Sequence, residues 1–186
     1  WSGTGFTGRK LSRKFTRSDI ALNLEQAKQM AKRTLSKKRY EHTINVKKMA
    51  VKLAKHYGED EKKAAMAALL HDMAKELPKD RMLQILQENA IMADNAHHRP
   101  APVWHGVCAA ILARTEWGVE DEEILAAVAC HTTGRPHMTR LDKILFLADM
   151  TSADRSYPEV ELLRRLELED LDRAMVEALR MNIQWL

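Results

Sequence analysis

The chain has 186 residues, of which 45% are hydrophobic and 30% charged, enough apolar material for a buried core and too much for a disordered segment. No apolar run reaches the roughly 20 residues of a membrane span and no signal-peptide pattern is present, so a soluble, cytoplasmic chain that leaves membranes alone is expected. The net charge of +4 is uneven: residues 1–40 hold eleven Lys/Arg against two acids, a net +9, and the remainder carries −5.

The basic head covers Arg9, Lys10, Arg13, Lys14 and Arg17, behind a Gly/Ser/Thr-rich stretch from Trp1 to Gly8. Residues 1–20 read as a flexible basic extension or a remnant left by cloning, with the domain proper over 21–186. Such a head suits an anionic surface, and it equally suits a solvated tail. Without aromatic interleaving or a nucleic-acid motif, no specific nucleic-acid partner is expected.

Ser18 or Asp19 can cap a first helix carrying Ile20, Leu22, Leu24, Ala27, Met30, Ala31 and Leu35. A second runs from about Lys38 to Tyr57, sets Val46, Met49, Ala50 and Leu53 on one face, and ends at Gly58. Asp60 caps a third, which continues through an apolar run to Ala74 and stops before Pro78. A fourth covers Lys79 to Glu88, and Asn95 to Pro102 is a loop because its prolines discourage the α conformation ahead of them. Helices follow over about 103–117, 120–131 and 139–150, and two more after Pro158, the last reaching Trp185. No strand alternation appears, so the fold class is all-α, a helical bundle. Cys108 and Cys130 sit singly on apolar faces and read as reduced core residues.

Ionisable groups interrupt these apolar stretches at few places. A buried one costs several kcal/mol unless partnered, and a metal ion partners neutral imidazole and carboxylate together. His71 and Asp72 are adjacent within the third helix; neighbours there diverge by about 100°, so both converge only on something beside the helix. His42 stands four residues before Val46 and shares its buried face. His105 follows the Pro-rich loop, His131 precedes Thr132-Thr133-Gly134, and Asp149 ends the apolar run from Ile144. One such histidine alone would be a satisfied core residue; the six groups together point to metal. Imidazole and carboxylate without thiolate suit Fe, Mn, Co or Zn. Lys75 is placed to stabilise phosphate charge, or is a solvated lysine at a helix C-terminus.

The order His, His-Asp, His, His, Asp is the ligand order of the HD-domain metal-dependent phosphohydrolases, which this chain resembles. Arg39-Tyr-Glu-His42, Leu70-His-Asp-Met-Ala-Lys75, His131-Thr-Thr-Gly134, Met138 and Leu147-Ala-Asp149 followed by Arg155 are similar to one bacterial branch. That branch is the YqeK-type symmetrical bis(5'-nucleosyl)-tetraphosphatases, and the similarity runs from about Leu24 to the C-terminus. One segment departs: the branch carries Ile-Glu-Pro where this chain has Thr151-Ser152-Ala153.

The resemblance implies an HD-domain helical bundle that hydrolyses diadenosine tetraphosphate to two ADP. It implies one or two transition metals, iron in that branch, with His42, His71, Asp72 and Asp149 around the first. Asp72 would bridge to a second, completed by His105 and His131. His71, Asp72 and Lys75 are then the catalytic candidates, and Arg39, Trp104, His105, His131 and Arg155 fall where the branch contacts nucleotide. Without the resemblance, Arg39 and Arg155 read equally well as surface ion pairs. Two alternatives stay open, another HD-type nucleotide phosphohydrolase and a non-catalytic module that binds nucleotide or RNA; so does a homodimer.

Overall fold

The computed structural model describes residues 22–89 and 100–184. Among them are nine α-helices and no strand: α1 (Leu24–Thr34), α2 (Lys37–Tyr57), α3 (Glu61–Leu70), α4 (Lys79–Glu88), α5 (Trp104–Thr115), α6 (Glu122–Cys130), α7 (Arg140–Thr151), α8 (Val160–Glu169) and α9 (Leu171–Gln184). A single 3₁₀ turn over Ala101–Val103 leads into α5. The fold is the all-α bundle that the sequence predicts, and no described helix is long and apolar enough to cross a membrane.

Short polar side chains set most helix starts by accepting the first free backbone N–H groups. Ser36 caps α2, Asp60 caps α3, Asp121 caps α6 and Thr139 caps α7, the last in a reciprocal pair with Asp142. At the far end of α2, Gly58 takes the left-handed conformation (φ 65°) and donates its N–H back to the Ala54 carbonyl.

The expected extension over residues 1–20, the expected cap at Ser18 or Asp19, and most of the loop before Trp104 lie outside the described residues. The described part of the first helix begins later than expected, at Leu24. Asn23 caps it, with Gln26 returning the bond to the Asn23 N–H.

The more consequential difference is at the end of α3, which stops at Leu70 rather than Ala74. Beyond it the chain tightens into successive i→i+3 bonds, Met73 N–H to Leu70 O, Lys75 N–H to Asp72 O and Leu77 N–H to Ala74 O. His71 and Asp72 therefore sit in a turn at the helix's C-terminal end, not in its interior. The helix formers around them favour continuation; tertiary contacts of the two side chains override that preference.

α3 packs on α2 and α6, α7 packs on α2 and α6, and α5 lies along α6. Ala64, Ala67 and Ala68 are buried along α3, and so short a side chain lets these backbones approach closely. Leu53, Leu69, Leu70, Ile144, Leu145, Phe146 and Leu147 fill the space between them and are almost wholly buried, each such side chain contributing about 1.5–3 kcal/mol. α8 and α9 close one side by packing on each other and on α7. The ends of α3, α6 and α7, the start of α5 and the second turn of α2 meet at one place.

Candidate metal centre

Six ionisable side chains converge at that place. His42 is in α2, His71 and Asp72 follow α3, His105 opens α5, His131 follows α6, and Asp149 lies in the last turn of α7. Five of them, all but Asp149, are at most 5% exposed. The donor atoms of His42, His71 and Asp72 lie within 4.8 Å of one another, as do those of His71, His131 and Asp149 and those of Asp72, His105 and His131. Asp72 shares its two oxygens between the groups: Oδ2 lies 3.4 Å from His71 Nε2 and 3.9 Å from His42 Nε2, and Oδ1 lies 3.2 Å from His105 Nε2.

The ring orientations follow from the backbone. His71 Nδ1 donates to the Ala68 carbonyl (2.6 Å) and His131 Nδ1 to the Val128 carbonyl (2.7 Å), acceptors that the ends of α3 and α6 leave available. His105 Nδ1 donates to Pro102 O at 3.0 Å. Placing each proton on Nδ1 turns the Nε2 lone pairs inward. His105 Nε2 and His131 Nε2 then face each other at 3.1 Å, and His71 Nε2 is buried with no hydrogen-bond partner.

Converging lone pairs, one of them orphaned in a dry interior, fit a cation between them and little else. No cysteine belongs to these groups among the described residues. Cys108 and Cys130 are free and buried, and burial pushes both thiols up to about 12. The donor set is therefore nitrogen and oxygen only.

Gly106 makes the approach of α5 to His131 feasible. A Cβ there would stand 3.1 Å from His131 Nδ1 and equally close to the carbonyls of Val128 and Ala129.

Electrostatics keep the carboxylates charged. Burial opposes the charge on Asp72, and positive charge held among His71, His105 and His131 outweighs it and keeps the carboxyl well below the usual carboxylate range. Asp149 is likewise held down against burial by positive charge beside it, first at its contact with His42 (Nε2 to Oδ1, 2.9 Å) and then at His71 and Arg155. Burial lowers the lysine pKa of Lys75, whose Nζ lies 3.4 Å from His105 Nδ1.

Two arginines border the cluster. Arg39 Nη1 donates to Asp72 Oδ2 at 2.8 Å and keeps 30% of its side chain exposed. Arg155 grips Asp149 twice, Nε to the backbone carbonyl at 2.8 Å and Nη2 to Oδ1 at 2.5 Å, with 38% of its side chain exposed. An independent surface pair of Arg155 with Asp154 or Glu159 is not what forms. A cavity of about 260 Å³ opens beside Asp149, Arg155 and His131, with Phe146, Met150, Tyr157 and Asn182 on its other sides. Trp104 begins α5 next to His105 and packs half-buried against the core.

Sequence reasoning missed one member. Asp154 accepts from His42 Nδ1 at 2.7 Å across 112 residues of chain. A buried histidine with one nitrogen turned into the cluster needs an acceptor for the other, and nothing near His42 in the sequence marks one.

Residues 39–154 match the model of the HD domain. The chain is 39% identical to the symmetrical bis(5'-nucleosyl)-tetraphosphatase of Bacillus subtilis over 165 residues, covering 89% of this chain and 88% of that protein. It is 40% identical, with the same coverage, to the protein of that name from Halalkalibacterium halodurans. Among solved structures, a Clostridium acetobutylicum protein described as an HD-superfamily hydrolase involved in NAD metabolism superposes with a TM-score of 0.83 at 34% identity, covering 88% of this chain and 87% of that one. With the matched span containing the whole cluster from His42 to Asp149, the chain belongs to the HD-domain family.

Proposed function

We propose that the chain is a metal-dependent hydrolase of phosphoric anhydrides that cleaves dinucleoside polyphosphates symmetrically, diadenosine tetraphosphate to two ADP. The observation that carries this reading is the buried nitrogen-and-oxygen cluster with the orphaned His71 Nε2, in a chain whose relatives bear the name of that activity. His42, His71, Asp72 and Asp149 would hold one metal, and Asp72, His105 and His131 a second. Iron is the metal proposed; Mn, Co and Zn share its preference for these donors.

Bound there, a transition metal supplies positive charge against phosphate oxygens and lowers the pKa of water from about 15.7 towards 7. The protein's own groups do the rest. The carbonyls of Ala68, Val128 and Pro102 hold three imidazoles with Nε2 inward. Arg39 and Arg155, part-exposed on opposite carboxylates of the cluster, present guanidinium N–H groups to a polyphosphate's non-bridging oxygens. Lys75, with an exposed side chain, adds a cation beside His105.

Phe146, Met150 and Tyr157 give the adjoining cavity an apolar lining suited to a nucleoside, and Thr132 and Asn182 add polar groups that could hold its sugar or base. Trp104 would face the same substrate from the start of α5. Opening at an inner phosphorus yields two ADP, and the names of the relatives favour that cut over the release of AMP and ATP. Two buried, unpaired cysteines fit the reducing cytoplasm.

Product chromatography at early times tests the proposal, and ADP alone is expected from diadenosine tetraphosphate. Equal AMP and ATP would refute the symmetric cut. Full metal loading without hydrolysis of any dinucleotide would leave a nucleotide-binding module as the better reading. Elemental analysis of protein purified without chelators decides between iron and the other three metals.

A further inference from the structure

Three of the four histidines in the cluster are oriented by their own backbone. His71, His105 and His131 each donate Nδ1–H to a carbonyl three residues upstream, at a helix end or in the 3₁₀ turn. His42 has no such acceptor. It stands in the second turn of a 21-residue helix, where the upstream carbonyls are taken up by the helix itself. Its Nδ1 instead meets Asp154 Oδ2 at 2.7 Å, while its Nε2 faces Asp149 Oδ1 at 2.9 Å.

Asp154 is delivered by a turn that is itself fastened. Arg155 N–H closes the turn on the Ser152 carbonyl at 2.9 Å. From α8, Arg164 donates to three backbone carbonyls of the same segment, those of Thr151 (3.0 Å), Ser152 (2.8 Å) and Arg155 (3.1 Å). One rigid turn thus sends Asp154 to His42 and Arg155 to Asp149, two different ligand positions.

We infer that Asp154 is a positioning residue for His42: its carboxylate accepts the Nδ1 proton, fixes the ring, and keeps the Nε2 lone pair directed at the metal position. The inference rests on the metal centre of the proposed function and adds a residue to it. An ionised acceptor also makes the imidazole a stronger donor, as carboxylate partners of metal-bound histidines do elsewhere. Arg164 acts one step further out, by holding the turn.

The test is cobalt binding by chelator-stripped full chain, followed through the visible absorption of Co²⁺, with no substrate present. Asp154→Ala should weaken Co²⁺ binding by about 10–100-fold, the usual consequence of losing such a partner. Asp154→Asn keeps an oxygen that accepts the proton and should recover most of that loss, to within about tenfold of wild type. The metal-free Asp154→Asn form should melt like wild type and the metal-free Asp154→Ala form only a few degrees lower, because Asp154 keeps 36% of its side chain exposed, fills no core space, and is lost only as the acceptor of the His42 Nδ1 proton.

Equal Co²⁺ affinity in wild type and Asp154→Ala would overturn the inference while leaving the metal centre intact. So would an Asn variant as weak as the Ala variant, since that would assign the carboxylate a role other than accepting the proton. No uptake of Co²⁺ by the wild type would overturn the metal reading and this inference together.

Discussion

Asp149 and Thr151 stand two residues apart at the end of α7, roughly 200° apart around the helix, and they face two buried acids with opposite fates. On the Asp149 side, Asp72 is 3% exposed, and His71, His105, His131 and Arg39 surround it. Its charge is kept. On the Thr151 side, Glu167 is wholly buried, with Oε2 bonded to the Thr151 hydroxyl at 2.8 Å and Oε1 without a partner. Burial pushes that carboxyl up to about 7, against the Thr151 bond and the distant charges of Lys52 and Arg164.

The hydroxyl geometry agrees. Thr151 Oγ1 has one proton and a carbonyl, Leu147 O, at 2.8 Å to receive it, which leaves a protonated Glu167 to donate to the hydroxyl. Burial of an acid is therefore no sign of function by itself. What marks the Asp149 side is an excess of inward-facing lone pairs that only a cation can use.

The largest expected effect breaks the first region. Asp72→Asn keeps the shape but removes the charge that all four histidines and Arg39 surround. Metal content should fall towards zero, and hydrolysis of diadenosine tetraphosphate should fall by at least about a thousandfold, the several kcal/mol that a metal supplies to such a step. Elemental analysis and steady-state kinetics measure both. A variant with wild-type metal content would show that the Asp72 carboxylate does not hold the metal.

Next comes the arginine that borders the cluster. A charge-assisted hydrogen bond contributes about 1.5–3 kcal/mol, so Arg155→Ala should lower kcat/KM by about 10–100-fold if the guanidinium grips phosphate. Arg155→Lys should recover part of that, since a point charge lacks the planar fork. Because Arg155 also fastens Asp149, metal content must be measured alongside. An unchanged kcat/KM at full metal loading would confine Arg155 to its bonds with Asp149.

The contrast between the two sides also explains what could be read from sequence. His71, Asp72, His105, His131 and Asp149 were legible because each lies in or beside an apolar helical stretch, where an ionisable group demands a partner, and His42 because it shares the buried face of Val46. Asp154 was not: in Ser-Ala-Asp-Arg an acid beside an arginine looks like ordinary turn polarity, and its partner is 112 residues away. Glu167 was hidden by the same logic reversed, since Leu-Glu-Leu-Glu within an acidic helix looks solvated.

The end of α3 was misplaced because propensity favours helix through Lys75. Only the convergence of the His71 and Asp72 side chains with those of α2, α5 and α6 makes the tighter turn preferable. The Asn23 cap, by contrast, was available in the sequence as an Asn followed three residues later by Gln.

Glu167 supplies a pH test of the second side. Its folded-state pKa is raised from an ordinary 4.5 to about 7. The stability associated with its protonated form is therefore fully present below pH 4.5 and is lost as pH rises through 7. A shift of that size corresponds to about 3 kcal/mol. Glu167→Gln cannot ionise, so its advantage over wild type should be small near pH 5 and grow to several degrees in Tm by pH 8. Parallel melting curves across that range would show Glu167 to be ionised and partnered in the native state.

The smallest effect separates the two faces of α7 most sharply. Thr151→Val retains the volume and removes the hydroxyl, leaving Glu167 with no bonding partner and the Leu147 carbonyl with its helix bond alone. Removing one partner of a buried hydrogen bond costs about 1–3 kcal/mol, and the neutral carboxyl of Glu167 puts this loss at the lower end. Chemical denaturation should record a drop of about 1 kcal/mol. Metal affinity should not change, since Thr151 points away from the cluster and the Arg164 bonds that hold the turn go to backbone carbonyls, which the substitution leaves in place. A fall in Co²⁺ affinity comparable to that of Asp154→Ala would mean that the two faces are coupled through the end of α7, and that the Thr151–Glu167 pair belongs to the support of the metal centre after all.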